Sequence, residues 1–303
     1  CKYIKNFSFL AKKFLLTGVA GFIAHKVCLL LLEQDYQVVG VDNLNDYYDV
    51  RLKNWRLEQL KAHPNGQNFT FACLDIEDQT KLSDLFQAEG PFDAILNLAA
   101  RAGVRYSMEN PYVYLSTNAV GTLNLLECML AQGSKKIVLA STSSLYAGQK
   151  IPFTEDLAVN EPLSPYAASK KAAELMAYSY HKLYGIDVSV VRYFTVYGPA
   201  GRPDMSPYRF IKWITEGETI QLFGDGSQSR DFTYVNDIAT GTVKAMQDVG
   251  YEIINLGGGR SPISLTTIIS KLEVLIGRKA KIDYKPFHVA DLMETWADIT
   301  KAK

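Results

Sequence analysis

Short apolar runs rich in Val, Ile and Leu recur along the chain at 14–17, 38–42, 69–75, 94–99, 136–141, 188–192 and 253–256. Longer amphipathic stretches separate them. Runs that are apolar at nearly every position, rather than at every second one, predict strands covered on both faces. Such strands alternating with helices predict an α/β fold with a doubly wound parallel sheet and right-handed crossovers. Helices are predicted over 22–34, 47–62, 78–88, 111–132 and 165–184. Pro64 follows the second, and Gly133 and Gly185 stop the last two where left-handed backbone is favoured. After Arg192 the strict alternation fails. Gly- and Pro-containing loops at 198–207 and 224–227 mark a smaller α/β region. The run at 253–256 is expected to return to the main sheet, so two domains interleave. One takes 12–192 and roughly 230–258; the other takes roughly 193–229 and 259–303.

Composition narrows the function. The 303 residues are 48% hydrophobic and 21% charged, which excludes wholesale disorder. Lys+Arg is 32 and Asp+Glu is 32, so no excess positive charge is available to hold a nucleic acid. Small phosphate ligands remain possible. No run approaches the roughly 18 apolar residues of a membrane span; 27–32 is the longest candidate. Residues 1–13 mix Lys with aromatics and lack a small-residue cleavage site, so no signal peptide is expected. Cys1, Cys28, Cys73 and Cys128 have neither paired nor metal-like spacing, and three of them sit in apolar contexts. They fit free thiols in a reducing compartment, and a cytoplasmic location is expected. His25, His63, His181 and His288 are scattered, and no metal site is expected.

The first strand runs into Gly18-Val19-Ala20-Gly21-Phe22-Ile23-Ala24. Gly18 permits a tight strand-to-helix turn. Gly21 lets backbone N–H groups approach a pyrophosphate at the helix N-terminus. Ala24 stands where a third glycine would allow close helix packing. Asp42 ends the second strand, where a carboxylate accepts from a ribose diol and repels a 2′-phosphate; NAD is therefore expected over NADP. Asp75 ends the third strand, placed for an adenine edge. Ala99 and Ala100 end the fourth, where small side chains let a dinucleotide lie close. Together these make the sheet Rossmann-type.

The chemistry is expected from Ser141-Thr142-Ser143-Ser144, at the end of the fifth strand, and from Tyr166-Ala167-Ala168-Ser169-Lys170, at a helix start. Tyr166 and Lys170, four residues apart, share a helix face. A lysine ammonium beside a phenol favours phenolate, which can take a proton from an alcohol while hydride leaves the same carbon. Thr142 would share that proton.

These residues carry a resemblance. The segments TGVAGFIA, NLAARAGVRYSMENP, ASTSSLYAG, SPYAASK, RYFTVYGPAGRPDM and RDFTYVNDI resemble the extended short-chain dehydrogenase/reductase family of NAD-dependent sugar-nucleotide epimerases, over about residues 12–303. Within it, VDNLNDYYDVRLK and RYFTVYGP with RPDM are most similar to UDP-glucuronate 4-epimerases. The resemblance implies a tightly bound NAD, a UDP-hexuronate substrate, a Thr142/Tyr166/Lys170 active site and a homodimer formed through the helices at 111–132 and 165–184. It adds Phe22, Ile23, Asn43, Ile76, Leu98, Asn118 and Tyr193 to the cofactor contacts, and Ser143 and Asp291 to the substrate contacts. It makes Arg230 a diphosphate clamp. Asp231 is expected to order Arg230 or the backbone. Such proteins run on for a few dozen residues past the position of Lys303, so a closing C-terminal helix is expected to be missing.

Three positions discriminate among relatives. Related 4,6-dehydratases carry Asp-Glu after the active-site Thr, whereas Ser143 and Ser144 stand here and cannot supply that acid and base. Thr195 replaces the substrate-facing Asn of UDP-galactose 4-epimerases and leaves room for a C6 carboxylate. Arg105 and Arg202 are candidate partners for that carboxylate; the alternative is that Arg105 pairs with a nearby acid and Arg202 orders its loop. A neutral-sugar or N-acetylhexosamine 4-epimerase shares the catalytic residues, and a non-catalytic nucleotide-binding regulator shares the fold.

Overall fold

The computed structural model describes residues 12–287 and 291–303. Cys1, His288 and residues 1–11 of the segment read for a signal peptide lie outside them. The chain runs β1 (Lys13–Thr17), α1 (Phe22–Glu33), β2 (Gln37–Asp42), α2 (Val50–Lys61), β3 (Phe69–Cys73), α3 (Gln79–Glu89), β4 (Ala94–Asn97), α4 (Val104–Glu109), α5 (Pro111–Tyr114), a π-helical turn (Leu115–Val120), α6 (Gly121–Gln132), β5 (Lys136–Thr142) and α7 (Pro165–Tyr184). It continues through β6 (Asp187–Tyr193), β7 (Thr195–Tyr197), α8 (Ser206–Glu216), β8 (Thr219–Phe223), β9 (Ser229–Arg230), β10 (Phe232–Tyr234), α9 (Val235–Lys244), β11 (Tyr251–Leu256), β12 (Ile263–Ser264), α10 (Leu265–Ile276) and β13 (Lys281–Lys285).

Seven strands pair in the order β3-β2-β1-β4-β5-β6-β11, all parallel. Successive side chains alternate between two cores. Leu15, Val39, Ile95, Ile137 and Leu139 face α3, α6 and α7, whereas Leu16, Val38, Leu96, Val138 and Val191 face α1 and α9. Both faces of the sheet are buried, which is why the strands read as unbroken apolar runs. The expected return of 253–256 to the sheet is β11. Between β6 and β11, and again after it, the chain builds a separate cluster. There α8 and α10 pack on the two-stranded β8–β13 sheet around Phe210, Ile214, Ile220, Leu222 and Ile269.

Strand order reverses between β1 and β4. In such sheets a crevice opens there, at the carboxyl ends of the strands. The elements that bound it are capped by local chemistry. Ser164 accepts from Ala167 N at the start of α7, with Pro165 in the first turn, and α7 ends at Gly185 with φ 68°. Gly133, φ 77°, ends α6 as expected.

Several boundaries differ from the sequence reading. α2 begins at Val50 rather than 47 because Asp49 caps it, accepting from Arg51 N at 2.9 Å. The 111–132 helix is interrupted by the π-helical turn, where Glu77 accepts from the hydroxyls of Ser116 and Thr117. β3 stops at Cys73 and β4 at Asn97, so Asp75, Ala99 and Ala100 lie just past the strand ends. Thr17 Oγ1 accepts from Ala99 N at 3.0 Å, drawing that segment toward the end of β1. Cys28 and Cys128 are buried, but Cys73 is exposed, because β3 is an edge strand. α4, which the sequence reading left without an element, follows Gly103.

Candidate active site

The crevice is a cavity of about 400 Å3. The sequence-predicted residues Gly18, Gly21, Phe22, Ile23, Asp42, Asn43, Asp75, Ile76, Leu98, Ala99, Ala100, Thr142, Ser143, Tyr166, Lys170, Tyr193, Thr195 and Arg202 all line it. They come from the ends of six strands, β1 to β6, from the starts of α1 and α7, and from the segment after β6 that holds Thr195 and Arg202, separated in sequence and joined by the topology.

At the nucleotide end, the Gly18–Gly21 turn is built for close approach. Gly18 has φ 71°, and a Cβ there would stand 2.9 Å from the Ala99 backbone. A Cβ on Gly21 would meet Gly18 O at 2.8 Å. Asp42 Oδ2 accepts from Ala20 N at 3.1 Å and Oδ1 from Leu44 N at 2.8 Å. Burial pushes the Asp42 carboxyl above the usual range; Lys53, those two backbone bonds and Arg56 pull it back. Asn43 donates to Asp75 Oδ2 at 2.6 Å, tying the ends of the second and third strands together. A turn whose two glycine positions exclude a Cβ, a carboxylate at the end of β2 and the small Ala99 and Ala100 fit a dinucleotide such as NAD. In that arrangement Gly18 and Gly21 would hold the pyrophosphate, Asp42 a ribose, and Lys170 the nicotinamide ribose.

At the chemical end, Thr142 and Tyr193 are paired neighbours at the tips of β5 and β6. Thr142 Oγ1 accepts from Ser144 N at 3.1 Å, which leaves its own proton to donate. Burial pushes the Tyr166 phenol above its ordinary value, while hydrogen bonding with Thr142 and the charge of Arg202 pull it down. Arg202 thus adds its charge at the phenol, beyond the Lys170 expected from the shared helix face. Lys170 Nζ donates to Ala140 O at 2.7 Å, and burial pushes its pKa down to about 8, partly offset by Glu174. Behind these groups lies a buried network. Both carboxylate oxygens of Glu174 accept from the Nε/Nη2 edge of Arg192, at 2.8–2.9 Å, and Oε1 also accepts from Ser141 at 2.6 Å, while Arg192 Nη1 donates to the Tyr146 hydroxyl.

The low Lys170 pKa is also a stability cost. Between pH 8 and 10.5 the unfolded chain holds the Lys170 proton and the folded one does not, so this site's contribution to stability rises with pH over that window. Below pH 8 a charged lysine is buried at a cost on the order of 3 kcal/mol. Lys170→Met is thus expected to melt higher than the parent at pH 7 when both are stripped of nucleotide. The gap should close by pH 10 in parallel thermal melts, while activity is lost at every pH. A variant that melts lower at pH 7 would contradict this.

Four predicted residues stand elsewhere. Asn118, on the π-helical turn, is buried outside the cavity lining; it accepts from Arg101 N at 2.9 Å and donates to Arg101 O and to Ser169 on α7. Arg105 pairs with Asp291 at 2.6 Å and stacks 3.9 Å over the Phe223 ring, so both are engaged with each other rather than facing the cavity. Arg230 Nη1 donates to Ser229 O at 2.8 Å, and the Asp291 charge acts on it. Arg202 lines the cavity but gives Nε and Nη2 to Asp204, at 3.0 and 2.6 Å; Nη1 takes part in neither bond. Asp231 orders backbone, accepting from Gly258, Gly259 and Ala297 N–H groups.

Sequence reasoning missed Asn45, Tyr47, Tyr48 and Lys53, which also line the cavity, and Arg56 behind them. All belong to the stretch that opens α2. The available signal was two cations, Lys53 and Arg56, spaced i, i+3 after a Tyr-Tyr pair, on a helix read as amphipathic.

Comparison with known proteins agrees with this geometry. Residues 14–257 match the NAD dependent epimerase/dehydratase family. The chain belongs to that family. A UDP-glucuronate 4-epimerase of Thermodesulfobacterium geofontis is 61% identical over 290 residues, covering 96% of this chain and 88% of that one. The crystal structure of UDP-glucuronic acid 4-epimerase from Bacillus cereus, with UDP-glucuronic acid and NAD, superposes with a TM-score of 0.88 at 38% identity, covering 96% and 91% of the two chains. A UDP-glucose 4-epimerase from Thermotoga maritima gives 0.83 at 30% identity, covering 96% and 91%. Among the described residues no group of three or more His, Cys, Asp or Glu could hold a metal, and no helix is long and apolar enough to cross a membrane.

Proposed function

We propose that the protein is an isomerase, an NAD-dependent UDP-glucuronate 4-epimerase that interconverts UDP-glucuronate and UDP-galacturonate. The observation that carries this is the convergence of Thr142, Tyr166 and Lys170 with Thr195 and Arg202 on one cavity, next to a turn shaped for a dinucleotide. The 61% identical relative supports the same substrate.

NAD, when bound, accepts the C4 hydride and later returns it, so net redox is zero and the cofactor need not leave. The protein does the proton work. Tyr166 takes the proton of the sugar 4-hydroxyl and gives it back to the 4-keto sugar after that sugar has turned its other face. Thr142 donates to the Tyr166 oxygen or to the sugar oxygen. Lys170 holds positive charge near the nicotinamide end. Thr195 and the Nη1 side of Arg202 receive the C6 carboxylate. Ser143 and Ser144 supply no general acid or base, so the keto sugar is not dehydrated. A β-keto acid loses CO2 only when the breaking bond stands perpendicular to the ketone plane, and a carboxylate held by Thr195 and Arg202 is kept from that alignment.

The region roughly 193–229 with 259–303 carries the UDP end, with Arg230 on the diphosphate. Arg105 and Asp291 order the wall beside it. The protein works as a homodimer through the 111–132 segment and α7; exposed Tyr112, Leu115, Leu175 and Leu183 form the supporting apolar surface. The location is cytoplasmic, consistent with the free thiols of Cys28 and Cys128.

The test is to incubate the purified protein with UDP-glucuronate, adding no NAD, and resolve the products by NMR. UDP-galacturonate rising to an equilibrium mixture, without a UDP-pentose, is expected. UDP-pentose as the main product would make the enzyme a decarboxylase. Turnover of UDP-glucose alone would move the assignment to neutral sugars.

A further inference from the structure

Arg56 has no part in the chemistry above, yet with Arg192 it is one of the two largest fully buried side chains among the described residues. It leaves α2 and ends in a fork that donates to three segments. Nη1 donates to Ala20 O at 2.8 Å and to the Tyr48 hydroxyl at 2.7 Å; Nη2 donates to Ala200 O at 2.7 Å. Ala20 lies in the Gly18–Gly21 turn. Ala20 is held through both of its backbone polar groups, because its own N–H goes to Asp42. Ala200 lies two residues before Arg202.

The loop that Arg56 holds is not self-supporting. Ala200 has φ 55°, a left-handed conformation that costs a non-glycine residue on the order of 1 kcal/mol and persists where surroundings fix it. A Cβ on Gly201 would stand 3.8 Å from the Phe22 ring, so the loop rests on the first turn of α1. Arg202 then projects across the Tyr47 ring, its guanidinium 5.9 Å from the centroid. Arg56, Tyr48 and Tyr47 thus join the stretch opening α2 to the loop carrying Arg202.

We propose that Arg56 is a specificity-determining positioning residue, a strut that sets the Arg202 loop against the cofactor turn so that Arg202 meets the carboxylate of a uronic-acid nucleotide. This rests on the reading of Arg202 as a carboxylate partner. A planar fork is required: a lysine ammonium has one centre and cannot span three acceptors on three segments. The consequence is selectivity. The UDP portion of the ligand does not depend on the strut, whereas its carboxylate does.

The experiment measures dissociation constants of the NAD-loaded protein for UDP-glucuronate, UDP-glucose and UDP by calorimetry. Arg56→Lys is expected to weaken UDP-glucuronate binding about tenfold, the loss of a misplaced charged hydrogen bond, and to leave UDP and UDP-glucose within about twofold. Parallel weakening of all three ligands would overturn the proposal, since a merely structural residue would do that. Should Arg56→Lys fail to fold, Tyr48→Phe, at a partly exposed site, removes one of the three acceptors. It should shift UDP-glucuronate alone by about twofold to threefold; no selective shift would overturn the proposal. Arg202→Gln separates the two levels. If it selectively weakens UDP-glucuronate and the Arg56 variant does not, the strut fails and the Arg202 reading stands. If Arg202→Gln is itself unselective, that reading fails and the strut with it.

Discussion

Tyr166→Phe is expected to lower epimerisation of UDP-glucuronate by about 10³- to 10⁴-fold while the protein keeps its NAD and still binds the substrate. The phenol oxygen is the one group of the site that hydrogen bonds with Thr142 and also feels the charge of Arg202. Removing it leaves the ring and its edge contact with Tyr114, at 6.0 Å between centroids, so the wall keeps its shape. The loss should fall on kcat, with the substrate dissociation constant nearly unchanged, because the proton transfer is made only in the transition state. NMR of product formation gives the rate, and released nucleotide measured by chromatography gives the NAD content. Residual activity within tenfold of the parent would show that another group, with Thr142 the first to test, is the base.

Gly18→Val is expected to yield a folded protein without NAD and with activity down more than a hundredfold. Two separate effects act at this position. Its φ of 71° is left-handed, where a β-branched residue is strained by about 1–2 kcal/mol. Any Cβ stands 2.9 Å from the Ala99 backbone, which cannot step aside because Ala99 N is bonded to Thr17 Oγ1. The turn must shift, and with it the N–H groups that would meet a pyrophosphate. The strand Leu15–Thr17 and helix α1 retain their own cores, so melting should drop by several degrees rather than collapse. Absorbance and chromatography of the denatured protein report the nucleotide. Full NAD occupancy in Gly18→Val would show that the cofactor does not lie on this turn.

The sheet was legible because burial on both faces writes itself into consecutive positions, and the strand ends were overrun for the same reason. Leu74, Leu98 and Ala99 continue the apolar run, yet their backbone has left the ladder to line the cavity. The π-helical turn at 115–120 left no local trace. Its cause is Glu77, about 40 positions away, gathering Ser116 and Thr117. Glycine and catalytic motifs could be read because turn geometry and the i, i+4 spacing of Tyr166 and Lys170 are local. Arg56 could not, since its acceptors come from residues 20, 48 and 200. Arg105 was open between a carboxylate partner and an ion-paired residue, and its neighbours in sequence could not decide, because the acid it pairs with, Asp291, arrives from 186 positions away.

The Glu174–Arg192 pair bears on what moves during catalysis. It lies one turn beyond Lys170 on α7 and clamps that helix to β5 through Ser141 and to β6 through Arg192. Separating the two would strand a charge in the core, at a cost of several kcal/mol. This stretch of α7 is therefore held firmly against β5 and β6. The enzyme cannot exchange sugar faces by shifting its base from one side to the other. Inversion has to be carried by rotation about the few single bonds joining a small ring to its diphosphate, turning before a stationary wall.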